Sequence, residues 1–420
     1  MSREGSDRST TQTRRRFLTT AGATGAAVLG STAGCLDLLG LTPQGGAGGA
    51  ASLGAGAAFP DVSEEDATDY ATTVDELDQL VGSGGGRIIW IPGDVQIDLT
   101  GRTITVEDAW VASGRTQEST GAVIFDEGRG APGEHISFIL EHGGRLSGLT
   151  IRGALHNYTD SAIIPGYVPL GEGGSYDARQ RWRDDWYCRA AEVHGDEAQI
   201  DNCEIWGFST GIAVGRRRSP VSPNILYNHI HNCMMTSDGY PIHVNDGMPS
   251  IHGCTFNAYR HAVNGFGPPT AGYIVTECLF GPYKSSHDID MHRLEENIGG
   301  DGNPSSDEYA NRAGGTMVIR DCTIMGTNVV DDRHHNGGAN MGTYSPTPYI
   351  NHNKGGRTPH VHLRGIPADR FIFENNQCAY ADPVDAINQH VPGSYSADAN
   401  GWHEVHIGGN AWGVDFGTGV

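Results

Sequence analysis

The sequence predicts an all-β solenoid, a parallel β-helix with a short helix over its N-terminal end, and three observations carry that prediction. The first is a repeat. "LSGLTI" from Leu146, "IDNCEI" from Ile200, "ILYNHI" from Ile225, "IHGCTF" from Ile251, "VTECLF" from Val275, "IRDCTI" from Ile319, "FENNQC" from Phe373 and "IGGNAW" from Ile407 share one template. Its central position reads Leu149, Cys203, Asn228, Cys254, Cys278, Cys322, Asn376 and Asn410, at spacings of 54, 25, 26, 24, 44, 54 and 34 residues. One rung of roughly 25 residues, doubled or lengthened by insertions, accounts for these spacings, and such periods mark stacked repeats. The second observation is a strand that follows the template: "GIAVG" from Gly211, "PIHVN" from Pro241, "HAVNG" from His261 and "DIDMH" from Asp288. Alternation along it sends Ile212, Val214, Ile242, Val244, Ile289 and Met291 inward, and His243, Asn245, Asp288, Asp290 and His292 outward. The third is a capping box, Thr73-x-x-Glu76, ahead of Val74, Leu77, Leu80 and Val81 at helical spacing and a stop at Gly82.

Taken in chain order, residues 1–35 read as an address that precedes the fold. Arg14 to Arg16 and the mildly apolar run after them resemble a twin-arginine export signal, and Ser31-Thr32-Ala33-Gly34-Cys35 resembles a lipobox, with Cys35 the residue to be lipidated. The protein is therefore expected outside the cell, lipid-anchored to the outer face of its membrane. Residues 36–60, rich in Gly and Ala, read as a flexible tether. Residues 61–100 hold the cap helix and first strands, including Ile88 to Ile91, and the helix is expected to cover an open sheet edge. Residues 101–420 form the β-helix, interrupted near 154–189, 293–314 and 331–359.

The cysteines follow the repeat and not a disulfide pattern. Cys203, Cys254, Cys278 and Cys322 are expected to stack in the core as small reduced hydrophobes, with Asn taking the same place in other coils. Cys188 and Cys233 fall off the template and are left open to pairing or ligand binding.

The formal charge of -22 and the presence of only two lysines, Lys284 and Lys354, exclude a general nucleic-acid binder, which needs dense basic groups along a phosphate backbone. The composition resembles that of proteins from extreme halophiles, whose carboxylates keep a surface hydrated in concentrated salt.

The helix, the "GGGRIIWIPGDVQIDLTG" stretch that follows it and the "I-x-x-C-x-I" rungs together resemble the pectate-lyase-like right-handed parallel β-helix superfamily, over about Asp61 to Trp412. The resemblance implies a right-handed coil and a carbohydrate-active protein. It does not choose a reaction, because lyases, hydrolases, epimerases and binding proteins share the scaffold.

Insertions in a solenoid gather on a face that often binds. The first one offers Trp182, Trp186 and Tyr187 to stack on sugar rings, and Arg181 and Arg183 to grip carboxylates, with Arg217 in a second basic cluster, Arg216 to Arg218. An acidic polysaccharide is the partner this surface suggests, and the chain is expected to act as a monomer. Three readings fit "SSHDIDMHR", Ser285 to Arg293. In one, His292, Asp290 and His243 exchange protons with a uronic-acid sugar while Arg293 binds its carboxylate, as β-elimination requires. Asp290-Met291-His292 is similar to the Asp-Pro-His motif of alginate lyases and epimerases of this fold, with Met in place of Pro. In the second, Asp288 and Asp290 hold Ca²⁺, as pectate lyases do. In the third, the strand is merely polar outside. A lyase acting on a uronate-containing polysaccharide is the leading expectation. A glycoside hydrolase using Asp288, Asp290, Asp331 and Asp332 is the alternative enzyme, and a glycan-binding surface protein the alternative of another kind. His334, His335, His360 and His362 are candidates to line the same groove.

Overall fold

The structure, a computed structural model, describes residues 62–116, 119–130, 135–155, 187–216, 219–233, 239–282, 284, 286–292, 313–330, 341–345, 350–351, 356–357, 359–365, 367–389 and 404–416. Cys35, Trp182, Trp186, Arg181, Arg183, Arg217, Arg293, His334, His335, Asp331 and Asp332 lie outside the described residues, as does the expected export signal.

Each turn of the chain lays down three strands, and successive turns stack them into three parallel sheets of 11, 10 and 9 strands. This is the right-handed parallel β-helix expected. The first sheet aligns the repeat without a slip: Leu146, Ile200, Ile225, Ile251, Val275, Ile319, Phe373 and Ile407 are register partners in sequence. All of them except the exposed Ile407 are buried.

The template's central residues stand at the corner that leads to the second sheet. Asn228 accepts the Cys203 N–H (2.9 Å) and donates to the Ile200 carbonyl (2.8 Å). Asn376 and Asn410 repeat the pattern against Cys322, Ile319 and Phe373. The corner works because the residue just before the ladder adopts a left-handed backbone: Gly148, Asn202, Tyr227, Gly253, Glu277, Asp321, Asn375 and Gly409 have φ between 50° and 66°. Gly, Asn and Asp tolerate that conformation, whereas at Tyr227 and Glu277 the coil imposes it.

Cys188, Cys203, Cys233, Cys254, Cys278, Cys322 and Cys378 are all free and buried. Burial pushes the Cys188 and Cys203 thiols up to about 12, so they behave as apolar filling.

The cap helix runs Val74–Val81, and Thr73 and Glu76 exchange capping hydrogen bonds of 3.3 and 3.2 Å. Leu77 and Val81 enter the main core. Thr327–Val330, just before the third insertion, pairs with Met341–Ser345 inside it, and Ile350–Asn351 pairs with Gly356–Arg357, both antiparallel. Among the described residues no helix is long and apolar enough to cross a membrane.

A polar wall centred on Asp290

The third sheet carries the candidate site. Ile242, Val263, Ile289 and Val361 are register partners and fill the core. The residues that follow them, His243, Asn264, Asp290 and His362, form one column along the helix axis, on the side of the sheet opposite the core. Two residues further on, Asn245, Phe266, His292 and Arg364 continue four successive coils. At the start of one strand and just before the next two, Tyr240, His261 and His287 stack at centroid distances of 5.7 and 5.1 Å. Coils are about 4.8 Å apart, so this wall presents its side chains at a regular step along the axis.

Asp290 is the hub of the wall and is fully enclosed. The Arg364 guanidinium donates to it through Nε (3.1 Å to Oδ1) and Nη2 (2.7 Å to Oδ2), a forked grip. His292 Nε2 stands 3.1 Å from Oδ2, His261 Nε2 3.6 Å from Oδ2 and His362 Nδ1 3.8 Å from Oδ1. Burial pushes the carboxyl up, but the charges of His292, Arg364 and His261 outweigh it and hold Asp290 well below the usual carboxylate range. It is therefore a fixed negative charge under a group of histidines. His292, His362 and Arg364 keep 14, 13 and 15% of their side-chain surface exposed, so they form the accessible layer above it.

His243 lies two coils from Asp290 in the same column, about 10 Å away by strand stacking. Its Nδ1 is 3.0 Å from the Asn264 amide and its Nε2 3.0 Å from Asn245 Oδ1. Tyr240 stacks on its ring at 5.1 Å and Phe266 meets it edge-on at 4.6 Å. Two amides and two rings thus fix its orientation.

The expected register of "DIDMH" holds for Ile289, Met291, Asp290 and His292, but the expected outward pair of aspartates does not. The strand begins only at Ile289. Asp288 occupies the bend before it, where alternation has no force, and turns away from Asp290 into a buried corner. There Lys284 Nζ donates to both its oxygens (2.6 and 2.7 Å), His360 Nδ1 stands 2.7 Å away, and the Tyr259 hydroxyl donates to Oδ1. All four side chains are fully buried. Burial raises the Asp288 carboxyl, but Lys284 and His360 bring it below its ordinary value. His360, placed in the same corner, is fully buried there, whereas His362 stands in the Asp290 column and is partly exposed.

Calcium expected from the two aspartates does not fit this arrangement. A hard cation needs converging oxygens, yet Asp288 is saturated by an ammonium, an imidazole and a phenol, and Arg364 occupies both oxygens of Asp290. Tyr187, expected as a sugar platform, is 3% exposed and belongs to the core, with its hydroxyl accepting from Arg189 Nε at 2.7 Å.

Arg364, His261, His287, Asn264, Tyr240 and Phe266 are members of the wall for which the sequence suggested no site role. His261 and Asn264 were legible in "HAVNG", where they stand two residues before and one after the core residue Val263, as His287 and Asp290 stand about Ile289 in "HDIDMH". Arg364 lies beyond the third insertion, so its register with His292 depends on how many residues that insertion removes from the coil.

Fold and wall together define a right-handed parallel β-helix protein with a histidine, aspartate and arginine site on the outer face of one sheet. No protein-family model matches the chain, and no curated protein sequence matches it.

Proposed function

We propose that this protein is a carbohydrate-active β-helix enzyme that cleaves an acidic, uronate-containing polysaccharide by β-elimination. The observation that carries the reading is the group of His292, Asp290 and Arg364: a partly exposed imidazole over a buried, permanently charged carboxylate, beside a guanidinium. With Nε2 3.1 Å from Asp290 Oδ2, Nδ1 of His292 is the nitrogen that would act as the base. It would take the C5 proton of the uronate. The C–H electron pair then forms the C4=C5 bond, the C4–O bond breaks, and the leaving oxygen takes a proton from His362. Arg364 faces the same opening and would steady the charge that builds on the uronate carboxylate, the role expected of Arg293. The columns of the wall run along the solenoid, as an extended glycan would.

Asp288 is excluded from the paired-carboxylate alternative because its corner is closed and its charge is matched by Lys284. The proposal of an extracellular, lipid-anchored protein rests on Arg14 to Arg16 and Cys35.

The assay is incubation with a panel of uronate-containing polysaccharides while absorbance from unsaturated ends and new reducing ends are followed together. Both rise for a lyase. Reducing ends alone would indicate a hydrolase, and binding without either would make this a glycan-binding protein. His292→Ala is expected to lower kcat by about 10²- to 10⁴-fold, the usual contribution of a general base. Undiminished turnover in that variant would remove His292 from the mechanism.

A further inference from the structure

A second cluster stands on a different sheet. Glu204 lies in the strand Glu204–Trp206 and the next coil contributes His229 and His231 from His229–Cys233. Register pairs Glu204 with His229 and Trp206 with His231, while Ile205 and Ile230 between them point into the core. Glu204, His229 and His231 therefore share the outer side of the second sheet, away from the Asp290 wall.

We propose that Glu204, His229 and His231 form a binding site for a borderline divalent cation of the Zn²⁺ type, joining two adjacent coils and leaving a fourth coordination position open. One ligand atom from each residue lies within 4.8 Å of the other two. His231 Nε2 is 3.0 Å and His229 Nδ1 3.7 Å from the same oxygen, Glu204 Oε1. Those distances bracket the separation of about 3.3 Å between ligand atoms in a tetrahedral shell with Zn–N bonds of about 2.0 Å. Two imidazoles and one carboxylate match Zn²⁺ and its neighbours better than Ca²⁺ or Mg²⁺, which prefer oxygen alone.

Three surrounding features favour a cation over a simple ion pair. The two imidazole rings stack at 4.3 Å with 27° between their planes, an arrangement that two imidazolium ions would resist. Arg115 Nη2 is 3.7 Å from Oε2, the other oxygen of Glu204, so it orients the carboxylate and leaves Oε1 facing the histidines. Trp206 stacks on His231 at 5.7 Å and fixes its ring plane.

The test is Zn²⁺ titration of the chelator-stripped full chain, with bound metal measured by equilibrium dialysis. One site is expected that His231→Gln and the near-isosteric Glu204→Gln each weaken by about 100-fold or more, since loss of even outer partners of a metal costs about 10- to 100-fold. His261→Gln, on the other sheet, is expected to leave that site unchanged. Because the ion would join coils, Zn²⁺ should also raise the Tm of the unaltered chain and not that of Glu204→Gln. Absence of saturable binding by the unaltered chain, or binding that survives in both Glu204→Gln and His231→Gln, would overturn the proposal. Loss of binding in His261→Gln alone would overturn it too, by moving the metal to the Asp290 wall.

Discussion

At the scale of single residues, the most telling group is one with no catalytic assignment. Lys284 is one of only two lysines in the chain, and it is fully buried against Asp288 with a further bond of 2.8 Å to the Met325 carbonyl. A buried ion pair adds little net stability, but removal of one partner leaves an uncompensated charge. Lys284→Met should destabilise the fold by about 3–5 kcal/mol, and adding Asp288→Leu should recover much of that loss. Urea unfolding of the two single variants and the double variant measures the coupling, and additive losses would contradict the pairing. His360 in the same corner gives a pH signature. Burial lowers it to about 4, so the unfolded chain binds a proton at higher pH than the folded chain does. Stability present above the ordinary histidine pKa of about 6.5 is then lost as pH falls toward 4, by up to about 3 kcal/mol. The slope of unfolding free energy between these pH values should flatten in His360→Gln. Neither effect was legible in the sequence. Alternation predicts the face of Asp290 and His292 because they follow the start of a strand, but it says nothing of Asp288, which precedes it.

At the scale of the coil, the sequence was more informative than at any single site. The spacing of Cys and Asn marked the corner ladder in every coil from Leu149 to Asn410, because a solenoid repeats the same steric problem at each turn. Insertions lengthen the interval without moving the template, so it survives spacings of 44 and 54 residues. The wall was legible only where coils follow one another closely. His243 and Asp290 were found, whereas Arg364 was separated from His292 by a long insertion. The ladder also predicts a cost. Asn228→Ala would strand the Cys203 N–H and the Ile200 carbonyl inside the corner. A loss of about 2–4 kcal/mol is expected, since each stranded buried group costs about 1–3 kcal/mol. Thermal or urea unfolding checks it, and a change near zero would mean that water replaces the amide.

At the scale of the whole molecule, the charge of -22 opposes both compaction and the approach of an anionic polysaccharide. In the proposed mechanism Arg364 would act at contact distance, whereas the repulsion acts over the Debye length, about 10 Å in 0.1 M salt and about 3 Å in 1 M. Salt should therefore screen the unfavourable long-range field more than the favourable local grip. Two consequences separate by measurement. The Tm should rise as KCl increases from about 0.1 to about 1 M, because self-repulsion of the folded state is relieved. On a uronate polymer, kcat/KM should rise over the same range, with the gain lying in KM because Asp290 and His292 interact at short range. An enzyme that captures its polyanion with a broad basic surface would show the opposite trend. A steep fall of kcat/KM with salt, at unchanged fold, would mean that such a surface governs binding here and that the Asp290 wall is not the principal point of capture.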